Sequence, residues 1–213
     1  MIKKTVIINR AVPGSGKTTI TNCIVDELIN NNIKVAIHST DEYFMIENKY
    51  VFDITKLFKY HQQNLQEFIK SIKKNLDVVI CDNTNIAPWQ TEEYTKIARE
   101  YNYQIIFITL NPHELFKHVE FQKTTLQKQD AHEISEEVLK KMIKEYYIYD
   151  DLLNPKILIN KHRHIQYKWD SNKNMKTVIG IAKHFDSDFI IRIFPDEYIE
   201  VQKYIGKKIL SLI

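Results

Sequence analysis

Ala11-Val12-Pro13-Gly14-Ser15-Gly16-Lys17-Thr18-Thr19 is the stretch whose reading decides the fold of this 213-residue chain. An apolar run, Val6 to Ile8, leads into it, and apolar residues at helical spacing, Ile20, Ile24 and Leu28, follow it. Strand, glycine-rich loop and helix in that order make a P-loop, a backbone cradle for phosphate. Gly14 and Gly16 allow backbone conformations in which successive N–H groups point at an anion. The helix that starts after Gly16 adds its positive end. Lys17 is then placed for the β- and γ-phosphates of ATP, and the Thr18 hydroxyl for Mg²⁺. Pro13, Gly14, Ser15, Gly16, Lys17, Thr18 and Thr19 form the expected nucleotide-binding set. Ala11 replaces the usual first glycine, at a position that ends the strand instead of touching phosphate. The alternative, a glycine-rich turn with an incidental lysine, would not require a strand before it and a helix after it.

Working outward, Lys34 to Ser39 reads as a second strand, with Thr40-Asp41-Glu42-Tyr43-Phe44 at its carboxyl end. Residues 54–72 predict an amphipathic helix whose face carries Ile54, Leu57, Phe58, Leu65, Phe68, Ile69 and Ile72, with His61 among them. Asp77 to Asp82 is an apolar strand ending in a carboxylate, followed by Asn83-Thr84-Asn85. Pro88 opens a helix to about Tyr101, and Gln104 to Leu110 is a buried-type strand. Helices are expected over 112–128 and 135–150, the second capped by Ser135, with a polar loop from Gln127 to Glu133 between them. Beyond Asn154-Pro155 the pattern loosens. Lys156 to Ile159 is a candidate last strand of the main sheet, 164–169 and 188–194 are further strands, and 196–212 is an amphipathic helix.

Strands alternating with helices at this spacing, around the phosphate loop, predict an α/β fold, a P-loop NTPase whose parallel sheet is covered on both faces, with a small C-terminal α+β extension. The expected division is a P-loop domain over residues 1–154 and an extension, 155–213, packed on it or completing it. In such sheets the ligand crevice lies at the carboxyl ends of the strands. The P-loop, Asp41 and Asp82 all fall at such ends.

Phosphoryl transfer needs positioning, metal, charge neutralisation and a base for the accepting hydroxyl. Asp82, ending an apolar strand, is the candidate to hold Mg²⁺; its structural alternative is a turn-capping aspartate. Asp41 is the candidate general base, with Glu42 its competitor and a helix N-cap the plain alternative. His61 aims inward, toward either the core or the cleft.

Net charge is only +3, yet residues 155–213 carry eleven Lys and Arg against six Asp and Glu, while the rest has nineteen against twenty-one. A mildly basic C-terminal segment is compatible with a polyanionic partner. Cys23 and Cys81 lack metal-ligand spacing and read as reduced, buried thiols. No run is long enough for a signal peptide or a membrane span, so a cytoplasmic protein is expected.

NRAVPGSGKTT (9–19), STDEYF (39–44), YVFDITKLFKYHQQN (50–64), VVICDNTNIAPW (78–89) and HEISEEVLKKM (132–142) together resemble a group of P-loop kinases. These are the 5′-kinase domains of polynucleotide kinases and their stand-alone relatives, more distantly allied to zeta-toxin kinases. The resemblance covers about residues 3–150 and implies a kinase with a helical lid. It implies Lys17 and Thr18 as phosphate and metal residues, Asp41 as base, and Asp82 and Asn85 beside the acceptor site, where Glu42, His61 and Asn83 are further candidates. His61 matches a recurrent histidine of the group. The departure is in the lid. Relatives carry an arginine there to neutralise the migrating phosphoryl group, whereas Thr124 to His132 has only lysine nearby, Lys128 and Lys123. Lysine supplies charge without the bidentate fork, so the expected outcomes are Lys128 as substitute, a borrowed arginine, or slow turnover.

Asp186-Ser187-Asp188 has the look of a phosphatase motif and Lys168-Trp169-Asp170 that of a ligase nucleophile, but neither has the sequence around it that such a centre needs. One catalytic centre is expected, an ATP-dependent kinase acting on the 5′-OH of a nucleic acid end. The rivals are a small-molecule kinase on the same scaffold and a nucleotide-gated binding protein. A polynucleotide acceptor predicts a basic groove beside Asp41; a small acceptor predicts a closed pocket.

Overall fold

β1, Thr5–Ala11, is buried at every position. It has a parallel strand on each side: β5, Val78–Cys81, and β6, Gln104–Leu110. The computed structural model describes residues 2–47, 49–113, 117–120, 134–150, 158–159 and 185–213. In these, β2 (Val35–His38), β7 (Leu158–Ile159) and β8 (Phe189–Ile193) complete a six-stranded sheet in the order β2-β5-β1-β6-β8-β7. Every pairing in it is parallel. A short antiparallel hairpin, β3 (Met45–Ile46) with β4 (Lys49–Tyr50), stands apart.

A strand buried on both faces must be apolar throughout, and β1 shows the division. Ile7 and Ala11 pack with Ile20, Ile24 and Leu28 of α1, Lys17–Asn30, and with C-terminal helical residues Val201, Ile205 and Ile209. Val6 and Ile8 face the other way. There they meet Phe68 and Ile72 of α2, Ile54–Lys73, and Tyr94 and Ala98 of α3, Glu92–Glu100. A third cluster joins Val12 and Ile86 to Leu139, Ile143 and Tyr146 of α4, Glu136–Asp150. Ser135 caps α4 as expected, its Oγ accepting from Val138 N–H at 3.3 Å.

Chain direction positions the site. From β1 the chain leaves along α1 on one face, and from neighbouring β5 it leaves along α3 on the other. Loops after adjacent strands that part to opposite faces open a crevice between them. The P-loop and the segment from Asp82 line it.

Three expectations are corrected. The apolar stripe of α2 is buried only in its second half, at Phe68 and Ile72, whereas Ile54 and Phe58 are 67% and 76% exposed. The helix packs on edge strand β2 and on β5 late in its course; earlier it meets the 40–44 turn, through Tyr60 against Tyr43 and Phe44. The helix expected from Pro88 is a 3₁₀ turn, Pro88–Gln90, and then α3, separated at Thr91, whose hydroxyl donates to the Pro88 carbonyl at 2.8 Å. The helix expected over 196–212 is broken into a 3₁₀ turn, Pro195–Glu197, then α5, Tyr198–Val201, and α6, Ile205–Leu210. Gly206 approaches α1 so closely that a Cβ would stand 2.8 Å from the Cys23 carbonyl oxygen; the break lets α6 seat there while Tyr198 stays at the P-loop. The strand read over 164–169, the loop from Gln127 to Glu133 and most of the helix read over 112–128 lie outside the described residues; 117–120 is helical.

Asp186 and Asp188 are structural. The Arg99 guanidinium donates to both Asp186 oxygens, at 2.9 and 2.7 Å, and to Asp188 Oδ2 at 2.6 Å. Asp188 Oδ2 also accepts from Ile105 N–H at 2.7 Å, pinning the entry to β8 against the start of β6. Burial alone would raise the Asp188 carboxyl; the hydrogen bonds from Arg99 and Ile105 reverse this and hold it below the usual range. A depressed acid stabilises the fold above its unfolded pKa of about 3.9 and loses that contribution as pH falls through the folded value. Asp188→Asn should therefore cost about 1 kcal/mol near neutral pH, a partly exposed pair being worth no more. In urea titrations the difference should shrink as pH falls through the depressed folded value, where the wild-type carboxyl becomes protonated.

Candidate active site

Gly14 and Gly16 have φ of 80° and 83°, a region that carries a heavy penalty for side-chain-bearing residues. Gly16 is also the N-cap of α1, and no side chain caps that end. The contrast is with α2, where Asp53 Oδ1 accepts from Thr55 N–H at 2.9 Å, and with Ser135 on α4. Ser15 Oγ is buried without a hydrogen-bond partner among the described residues. Uncapped N–H groups and a buried unpartnered hydroxyl normally cost stability. Here they surround a loop shaped for an anion.

Across the crevice, Lys17 Nζ lies 3.2 Å from Asp82 Oδ1 and donates to the Asp82 carbonyl at 3.3 Å. Asn9, buried in β1, spends both amide hydrogens here, on Asp82 Oδ1 and on Thr21 Oγ1, each at 2.7 Å. The Thr21 hydroxyl in turn donates to the Lys17 carbonyl at 3.1 Å. Three elements, β1, α1 and the end of β5, thus fix one lysine and one carboxylate.

Thr40–Phe44 is a single 3₁₀ turn after β2. It is tethered twice. Thr40 N–H donates to Asn83 Oδ1 at 2.9 Å, and Thr40 Oγ1 shares a 3.0 Å hydrogen bond with His61 Nδ1. His61 therefore faces the turn, and not the apolar core. Desolvation lowers its imidazole pKa, and the Asp41 carboxylate pulls it part of the way back. Partial burial raises Glu42, and the Asp82 carboxylate raises it further. The two acids of the turn thus act on different neighbours, the Asp41 carboxylate raising the His61 imidazole while the Asp82 carboxylate raises Glu42.

Asn83 and Asn85 are buried and committed inward. Asn85, at φ 47°, donates from Nδ2 to the Asn9 carbonyl at 2.8 Å. Tyr94 collects Asn64 at 3.1 Å and Asn83 at 3.5 Å on its hydroxyl. Cys81 beneath them is a free thiol whose pKa burial pushes up to about 12, so it is inert at neutral pH. Cys23 is free and half-buried. Lys128 and Lys123 lie outside the described residues.

Sequence reasoning passed over three residues. Asn9 is a polar residue inside an apolar strand, a signal that was available in the run from Val6 to Ala11. Tyr198 reaches back from α5 to donate its hydroxyl to the Gly16 carbonyl at 2.8 Å, and a Cβ on Gly16 would collide with its ring. His118 is fully buried, and its Nε2 stands 2.9 Å from the Pro13 carbonyl. A carbonyl only accepts, so the proton is on Nε2. Nothing local in the sequence marks Tyr198 or His118 as neighbours of the loop.

A cavity of about 490 Å³ opens at the carboxyl ends of β6 and β8, lined by Asn111, Pro112, His113, Lys117, Phe194 and Pro195 among others. Among the described residues, no group of three or more His, Cys, Asp or Glu could hold a metal ion, and no helix is long and apolar enough to cross a membrane.

Sheet order, loop and flanking helices define a P-loop kinase fold. The chain belongs to the KTI12 family, described as chromatin associated protein KTI12, which matches residues 5–151. Kti12 of Chaetomium thermophilum, in a structure with ADP-AlF3, superposes with a TM-score of 0.59 over 97% of each chain at 14% identity. A fungal RNA kinase superposes at 0.54 over 99% of this chain and 87% of that one, at 16% identity. Human NEDD4-binding protein 2 is 28% identical over 140 residues, which are 66% of this chain and 7% of that protein. The chain spans less than a quarter of the length of the curated relatives it matches.

Proposed function

We propose that this protein binds ATP at the P-loop and transfers its γ-phosphate to a hydroxyl, the 5′-OH of a nucleic acid end. The observation that carries the reading is the N-terminus of α1, uncapped by any side chain, whose first residue, Lys17, reaches across the crevice to Asp82. An anion placed there would take up the N–H groups of the loop and draw Lys17 from Asp82. Pro13 to Thr19 would enclose the phosphates, and the cavity beside Asn111 and Phe194 would take the base. Residues 155–213 would then complete the nucleotide site of the 1–154 domain through Tyr198. That Kti12 of Chaetomium thermophilum, on the same fold, was solved in complex with ADP-AlF3 supports nucleotide binding.

Mg²⁺ fits the donor set. It needs hard oxygen ligands, one or two from protein and the rest from phosphate and water, and Asp82 and Thr18 supply such oxygens. Bound there, it would neutralise charge developing on the phosphoryl oxygens. Asp41 would accept the proton of the attacking hydroxyl as its oxygen bonds to the γ-phosphorus and the bond to the β-phosphate bridge breaks, releasing ADP.

A second reading, a nucleotide-gated binding protein with slow turnover, is favoured by where the arginines stand. Arg10 is fully buried over the Tyr146 ring, Arg99 is held by Asp186 and Asp188, and Arg192 is buried in β8. None of these described arginines is at the P-loop, and Lys128, Lys123 and Arg163 lie outside the described residues. If Lys128 neutralises the phosphoryl group, Lys128→Ala should lower kcat about tenfold, the worth of one charged hydrogen bond, while Lys128→Arg should hold or raise it.

The deciding experiment incubates γ-labelled ATP and Mg²⁺ with 5′-OH oligonucleotides, nucleosides and sugar nucleotides. Label on the oligonucleotide 5′ end is the expected result. Label on a sugar nucleotide alone makes it a small-molecule kinase. ATP binding with no acceptor labelled makes it a nucleotide-gated binding protein.

A further inference from the structure

We infer that the outer face of α2 is a track for single-stranded nucleic acid, delivering its 5′ end to the 40–44 turn. The inference rests on the proposed acceptor and specifies how it is held. A groove of about 760 Å³ runs between Tyr43 and α2. Its floor is one helical ridge, Phe58, Gln62, Gln66 and Lys70, with Lys59, Gln63 and Glu67 on the next. Residues four apart stack along a helix, so this ridge spans about 18 Å at the rise of an α-helix.

The groove begins at the candidate site. Tyr43 follows Asp41 and Glu42 in the same turn. Its ring is fixed by stacking on Tyr60, centroids 5.6 Å apart and planes 28° from parallel. Phe58, at the near end of α2, is 76% exposed. Two aromatic faces at the mouth of the groove, one rigid and one uncovered, suit bases stacked in sequence.

The lining favours this occupant over a protein. Protein interfaces are depleted in lysine and centre on apolar contacts. Here aromatic rings alternate with amides and ammonium groups. The side chains of Gln62, Gln63 and Gln66 make no hydrogen bonds among the described residues, so their donors and acceptors remain open to base edges. α2 carries Lys56, Lys59, Lys70 and Lys73 against one acid, Glu67. Lys70 pairs with that acid at 2.6 Å, but both are largely exposed. An exposed pair is weak, and a phosphate can compete for the lysine.

The test measures binding separately from transfer. A 5′-OH decanucleotide labelled at its 3′ end is titrated with the full chain in the presence of a non-hydrolysable ATP analogue and Mg²⁺, with anisotropy as the readout. Phe58→Ala should weaken binding about tenfold, the loss of one base stack, and Phe58→Trp should restore it. Gln62→Ala with Gln66→Ala should weaken it further, and the wild-type affinity should fall steeply with salt. In transfer assays, Phe58→Ala should raise KM for the decanucleotide relative to KM for a nucleoside 3′-phosphate. Phe58 is too exposed for its loss to unfold the chain, and a thermal melt checks this.

If the wild type phosphorylates the decanucleotide and Phe58→Ala and the double glutamine variant match it in affinity and KM, the groove is overturned and the kinase reading stands. If the decanucleotide binds in a Phe58-dependent way and no acceptor is phosphorylated, the groove stands and the kinase reading falls. If the wild type does not bind the decanucleotide, the groove is overturned.

Discussion

Lys17→Ala should abolish phosphoryl transfer while the protein stays folded. Lys17 sits with its ammonium 3.2 Å from Asp82 Oδ1, the one cation the described P-loop brings to the crevice. Removing a preorganised charge from a site where charge develops costs about 10²-fold or more in rate. The fold should survive because Asp82 keeps the Asn9 amide on the same oxygen at 2.7 Å, and because the β1 and α1 packing around Ile7, Ile20 and Ile24 is untouched. Circular dichroism and a thermal melt check the fold, and label transfer checks the rate. More than about a tenth of the wild-type rate, against that expected loss, would remove the P-loop from the mechanism.

Asp41→Asn should lower kcat by about 10²–10⁴, the range of general-base contributions, and leave the apparent ATP affinity nearly unchanged. The amide keeps the shape and hydrogen-bond reach of the carboxylate but takes no proton. The turn itself should hold, since its tethers run from Thr40 to Asn83 and His61. Glu42→Gln is the paired control. Glu42 is pushed up by burial and then by Asp82, so as a base it would be half-protonated at a higher pH than an ordinary carboxylate. If Glu42 is the base, the acid limb of kcat against pH lies above the ordinary carboxylate range, and Glu42→Gln shows the larger loss. If Asp41 is the base, Glu42→Gln leaves that limb in place. Measuring both profiles assigns the two acids.

Much of the fold was legible because it is encoded over short distances. The start of α1 follows from glycines that only a positive φ requires, and β6 from seven residues that a doubly covered strand must bury. The carboxylates of the turn and of Asp82 were found because both follow apolar strands. The stripe on α2 misled for a physical reason: Ile54, Phe58, Phe68 and Ile72 share one periodicity, but a helix longer than the strands it covers can bury only part of it. The break at residues 202–204 likewise depends on α1, whose backbone takes Gly206 at close range.

What the sequence determined by itself is the order of strands and helices, the phosphate loop between β1 and α1, and which acids end strands. All of these rest on spacings of two to four residues, where side-chain periodicity and backbone conformation act directly. Only the tertiary structure decided what those pieces meet. Asn9 reaches Asp82 across 73 residues, and Tyr198 reaches Gly16 across 182. Each contact exists because parallel strand order brings carboxyl ends together and the C-terminal helices cover α1. A local pattern records that a side chain is polar or apolar; it does not record which distant partner will satisfy it.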